Sequence, residues 1–99
     1  MQTTIQIDVP ESIRKFSPQL FEFFTLMLMK LDKNSHKDTP NKESLPRIME
    51  LLADEIIEFE EQLKEDKFDR NSLLELADQA NFSFLAYVAL RKDGVGNGD

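Results

Sequence analysis

Residues 46–91 decide the fold: PRIMELLADEIIEFEEQLKE (46–65), DKFDRN (66–71) and SLLELADQANFSFLAYVALR (72–91). In the first segment Ile48, Leu51, Leu52 and Phe59 recur at helical spacing. At about 100° per residue they fall within about 60° of Glu55. Glu58 lies about 60° to one side, next to Leu51, whereas Glu60 and Glu61 point away from this stripe. Ser44 or Leu45 is placed to cap this helix, with Pro46 in its first turn. The third segment repeats the arrangement. With Glu75 at zero, Phe82, Ala86 and Ala89 lie within about 40°, and Asp78 is about 60° away with Leu85 beside it. The middle segment is polar and reads as a turn, so the pattern predicts an antiparallel helical hairpin of residues 46–65 and 72–91.

Upstream of the hairpin, Ser17 and Pro18 read as an N-cap followed by proline at the first helical position. The helix they open is expected over residues 18–33, with Leu20, Phe21, Phe24, Leu28 and Leu31 as its apolar stripe. Residues 34–43 hold turn formers and no apolar side chain that would demand burial, and read as a loop. Near the start, Ile5, Ile7 and Val9 alternate with polar residues; they suit either a short strand stopped by Pro10 or an extended arm (1–16) lying on a neighbour. The tail, 94–99, has too little to bury and is expected to be flexible. The fold class is therefore all-α, with three main helices in one domain over residues 1–93. Residues 82–90 are apolar nearly all round, the mark of a helix buried on every side. Either the first helix covers them within one chain or a second chain does. The expectation is a homodimer or homotetramer that completes a four-helix-bundle-type core.

Bulk composition narrows the functional classes. A chain of 99 residues has room for one small domain, where burial is marginal. Its 40% hydrophobic content is too high for a disordered chain. With no cysteine there is neither disulfide nor thiolate metal site, which is compatible with a reducing compartment. No signal-peptide pattern opens the chain, and the apolar stretch over 20–31 is broken by Glu22 and Lys30 and too short for a bilayer. A soluble cytoplasmic protein without membrane contact is expected. The net charge of −7 argues against binding a nucleic-acid polymer. Between residues 50 and 78 there are eleven acids against three bases, whereas residues 30–47 carry five bases against three acids plus His36. An acidic centre beside a basic flank suits a metal–polyphosphate ligand; the plain alternative is a solvated helix face.

Helical phase puts Glu55, Glu58, Glu75 and Asp78 in or beside apolar stripes as two i, i+3 pairs on facing helices. Such carboxylates must be protonated, paired with bases or bound to cations, because each buried charge costs several kcal/mol. No base shares their i, i+3 faces. An all-oxygen, histidine-free set suits a hard cation such as Mg²⁺ better than zinc or a di-iron pair. Structural alternatives stand beside this reading: Ser72 and Glu75 form a possible-by-sequence capping box, and Glu58 fits an edge residue paired with Lys64 or a neighbouring chain.

The spacing Glu55-Ile-Ile-Glu58, sixteen residues, then Glu75-Leu-Ala-Asp78 resembles the Glu-x-x-Glu … Glu-x-x-Asp signature of the MazG-like all-α nucleoside triphosphate pyrophosphohydrolases. That superfamily includes the dimeric dUTPases and dCTP pyrophosphatases. The similarity extends over residues 30–90, including KLDKNSHK (30–37) and LADQANF (76–82). It implies hydrolysis of nucleoside triphosphates between the α and β phosphates, with Mg²⁺ as cofactor and Mn²⁺ as substitute, in control of nucleotide pools. On the same basis Glu55, Glu58, Glu75 and Asp78 are the implied metal ligands and catalytic acids. Asn81 is placed to touch ribose or base, and Asn34, His36 and Lys37 to meet phosphates from the loop; for His36 a solvated loop residue is the equal alternative. A catalytically silent helical regulatory module of the same fold is the competing reading, and a DNA-binding regulator a weaker third.

Overall fold

The computed structural model describes residues 2–33 and 38–98. It is all-helical: α1 spans Ser17–Lys33, α2 spans Leu45–Glu65 and α3 spans Arg70–Lys92. Short 3-10 turns, Glu11–Phe16 and Lys42–Ser44, lead into α1 and α2. Ile5, Ile7 and Val9 form no strand; residues 2–10 run without regular structure, with Ile5 82% and Ile7 74% exposed.

Local chemistry sets the ends of the hairpin. Asp66 adopts φ 51°, ψ 40°, the left-handed conformation that closes a helix. Its N–H donates to the Leu63 carbonyl and that of Lys67 to the Gln62 carbonyl, so two of the terminal carbonyls of α2 are satisfied. A short polar side chain tolerates this conformation better than a bulky one. Four residues after the end of α2, Asp69 caps α3: its Oδ1 accepts from the Ser72 N–H at 3.2 Å, and its own N–H donates to Ser72 Oγ at 3.0 Å. This reciprocal box starts the helix at Arg70, two residues before the sequence expectation. Asp69→Ala is expected to lower stability by about 1 kcal/mol, read as a loss in chemical denaturation midpoint. Ser44 takes the N-cap position of α2, one of the two expected there, but its side chain makes no cap hydrogen bond to that helix. The reciprocal box belongs to the preceding Lys42–Ser44 turn, where the Asn41 side chain accepts from the Glu43 N–H at 2.9 Å and Ser44 Oγ accepts from the Asn41 N–H at 3.2 Å.

The helix α3 lies between the other two: it packs along α2 in the hairpin and along α1 on its other flank, while α1 and α2 do not pack on each other. The core is correspondingly thin. Among the described residues only Ile48, Ala77 and Ala89 are fully buried apolar residues, and Ala77 and Ala89 have no exposed surface at all. Small side chains on α3 let neighbouring helices approach closely, and Phe59 reaches across to the hairpin turn, its ring centroid 5.8 Å from that of Phe68.

One expectation is corrected here. Of the stripe assigned to α1, Leu20 and Leu31 are partly covered, but Phe21, Phe24 and Leu28 face outward, 74%, 52% and 64% exposed. The covered side of α1 carries Leu20, Leu26, Met27, Lys30 and Leu31. This rotation follows from two polar contacts with α3, Asn81 to the Met27 carbonyl and Lys30 to Asp78. Hydrophobic phase alone did not set the helix's orientation. The apolar end of α3 is likewise only partly covered: Phe84 and Tyr87 remain 44% and 63% exposed.

Candidate functional site

The four acids come from the two helices of the hairpin, but helical phase placed all four in or beside covered stripes and not all are covered. Glu55, Glu75 and Asp78 are half-buried and Glu58 is exposed. They stand close enough to sense one another. Burial first, and then the charges of Glu58, Asp78 and Glu75, hold the Glu55 carboxyl above its ordinary range, while Lys30 pulls it the other way. Helix α1 supplies that lysine: Lys30 Nζ stands 3.5 Å from Asp78 Oδ2, with side chains 30% and 25% exposed. Sequence reasoning sought a neutralising base only on the two acid-bearing helices and so missed it. The available signal was a lysine interrupting the apolar run of α1.

Glu75 does not belong to the capping box. Asp69 and Ser72 complete that motif by themselves, and both Glu75 carboxylate oxygens accept instead from Gln62 Nε2, at 2.8 and 2.7 Å. The Gln62 Oε1 accepts in turn from Ser72 Oγ at 2.6 Å. This chain of bonds ties the last turn of α2 to the first turns of α3 and aims the Glu75 carboxylate at α2. Gln62 was also missed, although it lies seven residues after Glu55 and thus within about 20° of the same face. Gln62→Leu is expected to destabilise by about 1–3 kcal/mol, because it strands a half-buried carboxylate and a buried hydroxyl. Thermal melts of the metal-free protein check this.

Beside the acids lies a cleft of about 1050 Å³ between α1, the Lys42–Ser44 turn, α2 and α3. Of the four acids only Asp78 lines it. Ile48, Leu51, Phe82, Leu85 and Val88 give it an apolar wall, and Lys30, Lys33 and Arg47 bring positive charge. Arg47 Nη1 donates to Glu50 Oε2 at 3.0 Å on the exposed side of α2. Asn81 also lines the cleft and is 6% exposed. Its Nδ2 donates to the Met27 carbonyl at 3.1 Å. That carbonyl accepts only a donor, so the amide orientation is set and Oδ1 is left buried with no hydrogen-bond partner among the described residues. Asn34, His36 and Lys37 lie outside the described residues.

The donor set fits a hard divalent cation by its chemistry: four carboxylates, no nitrogen or sulfur ligand, and mutual repulsion that a cation would relieve. In the present side-chain arrangement no three acids among the described residues are gathered tightly enough to hold a metal ion. Two of the acids are engaged otherwise, Asp78 with Lys30 and Glu75 with Gln62. Binding therefore calls for side-chain rotation within a preformed acidic patch. Among the described residues no helix is long and apolar enough to cross a membrane. In comparisons with known proteins, no family model, no curated protein and no solved structure matches this chain.

Proposed function

We propose that this protein is a Mg²⁺-dependent nucleoside triphosphate pyrophosphohydrolase that releases pyrophosphate and a nucleoside monophosphate. The observation that carries the reading is the gathering of Glu55, Glu58, Glu75 and Asp78 by the hairpin beside a cleft with an apolar wall and a basic edge. Glu55, Glu58, Glu75 and Asp78 would hold the cation, which neutralises phosphate charge and lowers the pKa of a bound water. Lys30, Lys33 and Arg47 attract the polyphosphate to the same mouth. The wall of Ile48, Leu51, Phe82 and Leu85 suits a flat, weakly polar ring. Asn81 Oδ1 offers a buried acceptor to a sugar hydroxyl or base N–H at the cost of a small rearrangement. Glu55, the acid with the raised carboxyl, is the one best suited to take a proton from an attacking water.

The test is pyrophosphate release from a panel of NTPs and dNTPs with and without millimolar Mg²⁺. Release from at least one substrate, lost on chelation, is expected; silence across the whole panel overturns the reading. A second reading is favoured by a specific observation: Lys30 and Gln62 already engage two of the acids. A helical module with no chemistry would need no more. In that case Mg²⁺ raises the melting temperature of neither the wild type nor Glu55→Gln.

A further inference from the structure

Lys30 reaches the acids from a third helix, and its side chain and that of Asp78 are only 30% and 25% exposed. Among the described groups that act on Glu55, Lys30 alone favours the ionised carboxylate. One tethered ammonium thus does part of what a free cation would do for Glu55, Glu58, Glu75 and Asp78. A single positive charge cannot offset four negative ones, and Glu55 stays raised despite it.

The pair is built to exchange. Lys30 Nζ stands 3.5 Å from Asp78 Oδ2, beyond the roughly 2.7–2.9 Å of a tight charge-assisted hydrogen bond. Desolvation offsets much of the attraction in a pair covered to this extent. Asp78 is also the one acid of the four that lines the cleft, and Lys30 lines it too. Rotation of the lysine stem away from Asp78 therefore turns Nζ into the cleft and leaves α1 in place. The helix is held separately, one turn earlier, where Asn81 Nδ2 donates to the Met27 carbonyl at 3.1 Å. Met27 and Lys30 are neighbours along α1 as Asn81 and Asp78 are along α3, so one contact can open while the other stays.

We propose that Lys30 is an exchangeable counter-cation: it holds Asp78 while the acids are metal-free, yields Asp78 to a divalent cation, and turns its ammonium to a polyphosphate oxygen in the cleft. The last step rests on the nucleotide reading above; the first two require only that the acids bind a divalent cation. Repulsion drives the exchange, since an ammonium beside a bound divalent cation faces like charge. A flexible four-carbon stem with three rotatable donors serves both positions. Lys30 also couples the two ligands. Whichever arrives first draws the lysine out of the other's way, so each strengthens the binding of the other.

Lys30→Met keeps the length of the stem and removes the charge. Binding of Mn²⁺ to the full chain without nucleotide is read from the electron paramagnetic resonance of the free ion. The variant is expected to bind Mn²⁺ about fivefold more tightly than the wild type. It is expected to bind Mg²⁺–tripolyphosphate, added as the preformed complex, about tenfold more weakly. Opposite signs separate exchange from a merely structural lysine, whose loss weakens both. Lys33→Met removes a charge from the same cleft and is expected to change Mn²⁺ affinity by less than about twofold. Should Lys30→Met fail to fold without metal, Lys30→Gln, which keeps a donor for Asp78, is measured in the same way. The proposal is overturned by a wild type that binds no Mn²⁺, by Mn²⁺ affinity unchanged or weakened in the variant, by undiminished tripolyphosphate binding, or by equal tightening in Lys33→Met. Neither readout uses turnover. Tightened Mn²⁺ binding in a protein that releases no pyrophosphate keeps the exchange and removes the hydrolase, whereas release without tightening does the reverse.

Discussion

Glu55→Gln is expected to cut Mg²⁺-dependent pyrophosphate release by about 100-fold or more while making the metal-free protein more stable at neutral pH. The two effects have one origin. Burial and the neighbouring charges of Glu58, Asp78 and Glu75 raise the Glu55 carboxyl above its ordinary range, so in the folded state its ionised form is disfavoured. A group whose pKa is higher folded than unfolded binds more protons in the folded state over the intervening window. Its favourable contribution is complete below the unfolded value and is lost as pH rises through the folded one. The variant should therefore match the wild type near pH 4 and melt higher at pH 7, both without metal. Adding Mg²⁺ should reverse the order. A cation bound at 100 times its dissociation constant stabilises the wild type by about 2.7 kcal/mol, and the variant lacks one of its ligands. Melting curves at the two pH values, with and without Mg²⁺, read all of this. Equal melting temperatures at pH 7 without metal would show that the acids do not strain one another, and undiminished release would remove Glu55 from the chemistry.

Ala77→Leu is expected to destabilise the protein by about 1–3 kcal/mol and to lower activity with it. Ala77 is fully buried and sits one helical turn before Asn81, on the side of α3 that meets α1. A larger side chain there pushes α1 outward. That displacement breaks the Asn81–Met27 hydrogen bond and carries Lys30 away from Asp78, so the cleft loses one wall and part of its positive charge. For a domain of this size each kcal/mol moves the midpoint by about 4–8 °C, which circular dichroism resolves readily. The same substitution at exposed Ser83 is the control and should change neither melting nor turnover. If Ala77→Leu melts like the wild type, α1 does not rest on this face.

The hairpin was legible because its signals are local. Apolar residues at helical spacing, a polar turn and two acid pairs in phase place α2 and α3 within two residues of their observed ends at every boundary. The N-terminal end of α1 was equally clear from Ser17 and Pro18. The cap of α3 was less so, because several Asp, Asn and Ser residues compete within a few positions, and only backbone geometry chooses Asp69 among them. The Glu75 capping alternative fell for that reason.

What no periodicity could supply was the way α1 is turned. Its larger apolar stripe, Phe21, Phe24 and Leu28, faces outward, while the side bearing Met27 and Lys30 meets α3. Two directional polar contacts outweigh phase here, because a buried amide and a half-buried carboxylate need specific partners and an apolar residue needs only cover. Sequence by itself determined the three helices and the hairpin that carries the two acid pairs. Tertiary structure decided which base answers those acids, which amide holds Glu75, and which apolar face is left uncovered. Those depend on contacts between residues far apart in the chain, and spacing along one helix carries no information about the helix that packs against it.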